Sequence, residues 1–216
     1  MMPKEPELAK TLQQVPAHRE LFVNACAEEE DLMNLELRDA VLTGETLTGL
    51  CLRGVTLENC RFVDCNLDKA TFLDVVMRHC DFSNSSMAGG YWNRCRMQSC
   101  KWLGVNLENS SLQNLWAQDC SFEYGGFDRA ALRRVQLTRC DLSMANLTQC
   151  TLEHLSLAEV QLLGTVFFKT PLKGIDFSTS RLEGITVSSD LQELRGAVVS
   201  PQQAAELAKL MGLIVK

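Results

Sequence analysis

The chain has 216 residues, 46% of them hydrophobic, and its 21 basic and 27 acidic side chains leave a net charge of −6. That charge suits solubility and is too small to name a partner, while a mean hydropathy of −0.05 and the lack of any apolar run near the roughly 18 residues of a membrane span exclude a helical membrane protein. The opening Met-Met-Pro-Lys-Glu-Pro-Glu lacks the basic, apolar and small-residue order of a secretion signal, so the expected compartment is the cytoplasm.

Residues 1–31 form a first segment. Pro6 followed by Glu7 to Gln14 reads as a short helix with Leu8 and Leu12 on one face and Pro16 ending it. Residues 17–31 read equally as helix or partial coil. The segment is assigned to capping, because stacked repeats leave an apolar end and unpaired backbone groups.

From Leu32 to Val187 every fifth residue is apolar and almost always large, without a phase slip: Leu32, Leu37, Leu42, Leu47, and onward through Phe62, Phe82, Trp92, Trp102 and Phe122. Of these 32 positions, 30 are Leu, Phe, Met or Trp. A period of five fits neither a helix nor a flat strand, so the backbone must turn a corner once per repeat. Two residues before each repeat centre stands a second inward candidate, usually small, and eight of the ten cysteines (60, 65, 80, 95, 100, 120, 140 and 150) occupy that column. A buried free thiol is a compact hydrophobe, so packing explains them better than a disulfide framework. Gly44, Gly49, Gly54, Gly104, Gly164, Gly174 and Gly184 fall at the last position of the repeat, where a tight corner favours a residue free of a Cβ. Cys60, Cys80, Cys100, Cys120 and Cys140 are spaced by 20, which points to four repeats per turn and about eight coils, a rod on the order of 38 Å long. Trp92 and Trp102 would then face each other from opposite walls of one coil, with the undersized Ala117 in the next coil giving up volume to an indole.

Residues 189–216 leave the register. Ser200-Pro201 is an N-cap with proline at the first helical position; the helix runs to Met211 and is closed by Gly212. Leu213-Ile214-Val215 reads as a short strand. Leu207, Leu210, Met211, Leu213, Ile214 and Val215 expose more apolar surface than a small tail can bury, which marks them as a candidate dimer interface.

The triplets Cys65-Asn66-Leu67, Cys80-Asp81-Phe82, Cys140-Asp141-Leu142 and Ala145-Asn146-Leu147 resemble the pentapeptide-repeat family. That resemblance implies an all-β, right-handed quadrilateral parallel β-helix over residues 32–188, with a short N-terminal cap and a C-terminal α-helix. The Ser200-Pro201-Gln202-Gln203-Ala204 helix start and the Leu210-Met211-Gly212-Leu213-Ile214-Val215 ending further resemble quinolone-resistance proteins of the Qnr type, in their loop-less form. Such a likeness implies a homodimer, joined through the C-terminus, that acts on DNA gyrase and topoisomerase IV and shields them from quinolones, with a surface resembling B-DNA. A scaffold for another partner and a self-immunity protein against a topoisomerase poison are the alternatives.

No enzyme is legible. His18, His79 and His154 are scattered, no Cys-x-x-Cys pair occurs, and the paired glycines lack the lysine of a phosphate loop. No metal, cofactor or direct nucleic-acid contact is expected. Between residues 31 and 188, 18 acidic and 15 basic residues nearly balance. Folding at 20 residues per turn puts Asp68, Glu108 and Asp128 in one acidic column, a candidate partner-binding surface, and places Arg53, Arg94, Arg133, Arg134 and Lys173 on a wall two corners away.

Overall fold

A bulky residue at every fifth position faces inward throughout only if the chain bends once between successive ones. The computed structural model, which describes residues 2–215, shows that bend in the backbone angles. Gly44 and Gly104 have φ of +67° and +64°, and at the same repeat position Asn59, Asp64, His79 and Arg94 take φ of +54° to +55°. This left-handed region is cheapest for glycine, then for asparagine and aspartate, and those residues recur there.

Four bends close one turn, and equivalent residues 20 apart then pair in parallel, as Leu52 with Phe72, Phe72 with Trp92, and Leu112 with Leu132. The result is a four-walled parallel β-solenoid of about nine turns. The first wall is centred on the Leu32 column, the second on Leu37, the third on Leu42 and the fourth on Leu47. Walls one and two are joined through eight-residue strands, among them Thr71–Arg78, Tyr91–Gln98, Ser111–Gln118 and Ala131–Thr138.

Stacking in register brings like onto like in the interior. Phe62 lies 5.1 Å from Phe82 with planes 4° apart, and Phe82 lies 4.2 Å from Trp102. Phe72 stacks on Trp92, and the two indoles meet edge to face across the core at 5.6 Å. Burial of each such side chain contributes about 1.5 to 3 kcal/mol. Space for Trp92 is made close to it in sequence: a Cβ on Gly90 would stand 3.1 Å from Trp92 Nε1 and 2.9 Å from the Met87 carbonyl. All ten cysteines are free. Burial pushes the Cys95 and Cys150 thiols up to about 12, as befits side chains used as small hydrophobes.

Both ends depart from the reading of the sequence. The helix expected over residues 7–14 does not form. Residues 2–12 carry no regular secondary structure, and Gln13–Gln14 pair in parallel with Leu35 and Glu36. An eight-residue helix flanked by prolines is marginal alone, whereas the solenoid wall offers that backbone ready partners. The helix lies later, at α1 (Arg19–Ala27), where Phe22 and Ala25 enter the core and Phe22 meets Phe62 edge to face.

At the other end the sequence register stops near Val187, but the coil does not. Asp176 bridges Val198, 22 residues on, and a 3₁₀ turn at Gln192–Leu194 lies within the longer turn. This added winding is why the turns number nearer nine than the eight expected. Buried Glu193 closes it, accepting from Lys169 N at 2.7 Å and from Ser188 Oγ at 2.7 Å. Helix α2 (Pro201–Ala208) begins with a capping box between Ser200 and Gln203, a 3₁₀ turn continues it over Lys209–Met211, and Gly212 follows at φ +78°. Residues 213–215 form no strand.

Gly90→Ala is expected to destabilise the fold by about 1 to 3 kcal/mol through overpacking and to shift tryptophan emission. Gly44→Ala, where a Cβ meets open space, should cost about 1 kcal/mol by backbone strain alone and leave emission unchanged. Urea titration followed by fluorescence separates the two, and identical behaviour would refute the packing role of Gly90.

Candidate functional site

With the interior filled by apolar side chains, chemistry is confined to the outer faces and the ends. The described residues include no group of three or more His, Cys, Asp or Glu placed to hold a metal ion, and no helix long and apolar enough to cross a membrane.

The acidic column runs along the fourth wall, but its members are engaged differently. Asp68 Oδ1 accepts from Ser86 Oγ and from the Ala88 amide at 3.0 Å. Glu108 is ion-paired with Arg129 of the next turn, and Asp128 follows it one turn on. Ala88 separates Asp68 from Glu108 by a full turn, so the column is interrupted and in part neutralised. The basic residues lie one corner away, not two: columns five or six positions apart in a 20-residue turn occupy consecutive walls. The four arginines among them are matched too, with Arg53 to Asp31 at 2.6 Å, Arg94 to Asp74 through two 2.6 Å contacts, Arg133 to Glu153 at 3.3 Å, and Arg134 Nε to Asn114 Oδ1 at 2.8 Å. Arg139 with Asp119 repeats the pattern. Most of these pairs span 20 residues, so charge is balanced along the axis, rung against rung.

The candidate dimer residues lie at the end of the rod. Gln203 Nε2 donates to the carbonyls of Phe177 at 2.9 Å and Ser180 at 2.7 Å, and Leu207 packs against the core. These contacts dock one face of α2 on the last coil. Leu210, Met211, Leu213, Ile214 and Val215 are left exposed, Ile214 by 89%.

A third feature escaped the sequence reading. Residues 3–7 lie as a strap along the corner between the first and second walls. Pro3 is buried there, the Glu7 amide donates to Asp74 Oδ1 at 2.8 Å, the Lys4 amide donates to Asn114 Oδ1 at 3.3 Å, and Glu5 meets Arg96 at 3.3 Å. Asp74 and Asn114 are 8% and 4% exposed, rare burial for outward-facing polar side chains. The alternation Asp74, Arg94, Asn114, Arg134 at intervals of 20 was the available signal.

The fold and its filled interior define a solenoid of five-residue repeats. The chain belongs to the pentapeptide-repeat proteins: the family model described as "Pentapeptide repeats" matches in eight copies over residues 51–89, 118–153 and 145–184. It is 24% identical over 213 residues to the Bacillus subtilis (strain 168) protein YisX, covering 98% of this chain and 97% of that one. Among solved structures it resembles two trypsin-treated variants of QnrB1, a plasmid-mediated fluoroquinolone resistance protein. One matches with a TM-score of 0.54 at 17% identity, covering 84% of this chain and 100% of that one. The other gives 0.53 at 17% identity, covering 97% and 99%.

Burial opposes ionisation of Asp74, but the Arg94 guanidinium and the Glu7 amide outweigh it and hold the carboxyl below the usual aspartate range. A depressed native value means that this carboxylate stabilises the docked strap above the unfolded value of about 3.9, and that the contribution is lost as pH falls through the native value. The Glu7 amide resonance is therefore expected to keep its docked position from pH 7 down to about 4 and to move toward the free-peptide position below that. Movement between pH 7 and 5 would refute the assignment.

Proposed function

We propose that this protein is a non-catalytic, cytoplasmic homodimer that binds a type II topoisomerase, DNA gyrase or topoisomerase IV, and protects it from quinolones. The observation that carries the reading is the C-terminal tail. It docks by Gln203 and Leu207 and leaves Leu210, Met211, Leu213, Ile214 and Val215 in solvent at the end of a rod that aligns along 97% of its length with QnrB1. So contiguous an apolar patch favours a covered interface, and a second copy offers the same patch by two-fold symmetry. Ten free thiols fit a reducing compartment.

On this reading the fourth wall, with Asp68, Glu108 and Asp128, presents negative charge to a surface that ordinarily holds phosphates. The Glu108–Arg129 pair and the gap at Ala88 weaken that charge. These two features favour a second reading, a scaffold for a partner that is not a topoisomerase.

Purified protein is expected to preserve gyrase supercoiling in the presence of ciprofloxacin at ratios up to equimolar. Absence of both protection and binding to either topoisomerase at any dose removes the first reading and leaves the second. Replacing Leu213 and Ile214 together by aspartate, at positions that touch no core, should convert the dimer to a monomer on sizing with an unchanged circular dichroism spectrum. A dimer that persists would place the interface elsewhere.

A further inference from the structure

The strap is seated by contacts that do not depend on its being part of this chain. Two buried side-chain oxygens 40 positions apart, Asp74 Oδ1 and Asn114 Oδ1, receive backbone amides of Glu7 and Lys4. Main-chain amides are common to every extended peptide, so these acceptors fix a backbone path and not a sequence. Selectivity comes from charge: Glu5 pairs with Arg96, and Glu7 lies close enough to Arg94 to favour its cationic form. Beside the end of the strap the surface holds an open recess of about 180 Å³ lined in part by Arg96, Gln98, Trp116 and Gln136. There Arg96 lies over the Trp116 ring at 5.6 Å, and Trp116 Nε1 is buried with no hydrogen-bond partner. A guanidinium and an unpaired N–H at one recess are matched by a carboxylate.

We propose that the corner groove between the first and second walls is a binding site for an extended acidic peptide, and that residues 3–7 occupy it as an intramolecular stand-in. The partner it fits carries carboxylates two residues apart, as Glu5 and Glu7 are, with a further acidic side chain reaching the Trp116 recess. Such a partner replaces the strap contact for contact along Asp74, Arg96 and Asn114 and adds one that the strap does not make. The strap thus sets a threshold that a competing segment must exceed. This site is separate from the fourth wall and from the C-terminal tail, and its test contains no topoisomerase.

The experiment uses the full-length chain carrying Glu5→Lys and Glu7→Lys, and a fluorescein-labelled peptide of residues 2–14 read by anisotropy. Hydrogen exchange at positions 4 and 7 is expected to show the strap displaced in this variant and protected in the native chain. The peptide should bind the variant about tenfold more tightly than the native chain, and a peptide with both glutamates replaced by lysine should bind about tenfold more weakly, the scale of one or two partly shielded ion pairs. Adding Arg96→Ala, at a half-exposed position, should weaken the native-sequence peptide without changing the circular dichroism spectrum. The proposal is overturned if the variant strap stays protected, if the peptide fails to bind the uncovered groove, or if acidic and basic peptides bind alike.

Discussion

Everything in this molecule depends on the parallel ladder between residues 20 positions apart. Each turn is a template for the next, donating to it as Phe82 N does to the Lys101 carbonyl and Trp102 N to that of Ser121, and so each central side chain is buried directly against an equivalent one. Hydrogen bonding and apolar burial are therefore one constraint, because a slip of the first by one residue would turn the second inside out. Interior composition can vary, as the run Phe62, Phe82, Trp102, Phe122 shows, while the spacing stays invariant.

That coupling explains what was legible in the sequence. The phase of Leu32 to Val187 reports the inward face, the 20-residue spacing of the cysteines reports the turn, and the glycines at the last repeat position report the bends. All three are consequences of one periodic backbone, so they reinforce one another. The termini obey other rules. Residues 7–14 have local helix character, yet the walls supply Asp74 to the Glu7 amide and the Leu35–Glu36 backbone to Gln13 and Gln14, and no window of local sequence contains those partners. The final coil was missed because its spacing of 22, Asp176 to Val198, breaks the period while preserving the pairing.

The exterior was legible only in part. Counting charges gave near balance, and columns could be assigned, but a column is not a surface until its neighbours are known. Arg129 belongs to the column next to that of Glu108, and the ion pair between them runs diagonally from one turn to the next. Asp68 turns toward Ser86 and Ala88 in the same way. Side-chain reach across rungs, which register alone does not specify, decides how much of the acidic column faces outward. The strap belongs to the same category: Asp74 and Asn114 look like ordinary bend residues until the backbone that covers them is placed.

The amide of Gln203, bonded to the carbonyls of Phe177 and Ser180, has a meaning beyond helix docking. A stack of parallel strands ends in a row of open donors and acceptors, the same unfinished edge from which amyloid fibrils elongate. By ending on a turn of unequal length and then pinning a helix over that edge with one side chain, the chain denies a further copy the template on which it could polymerise.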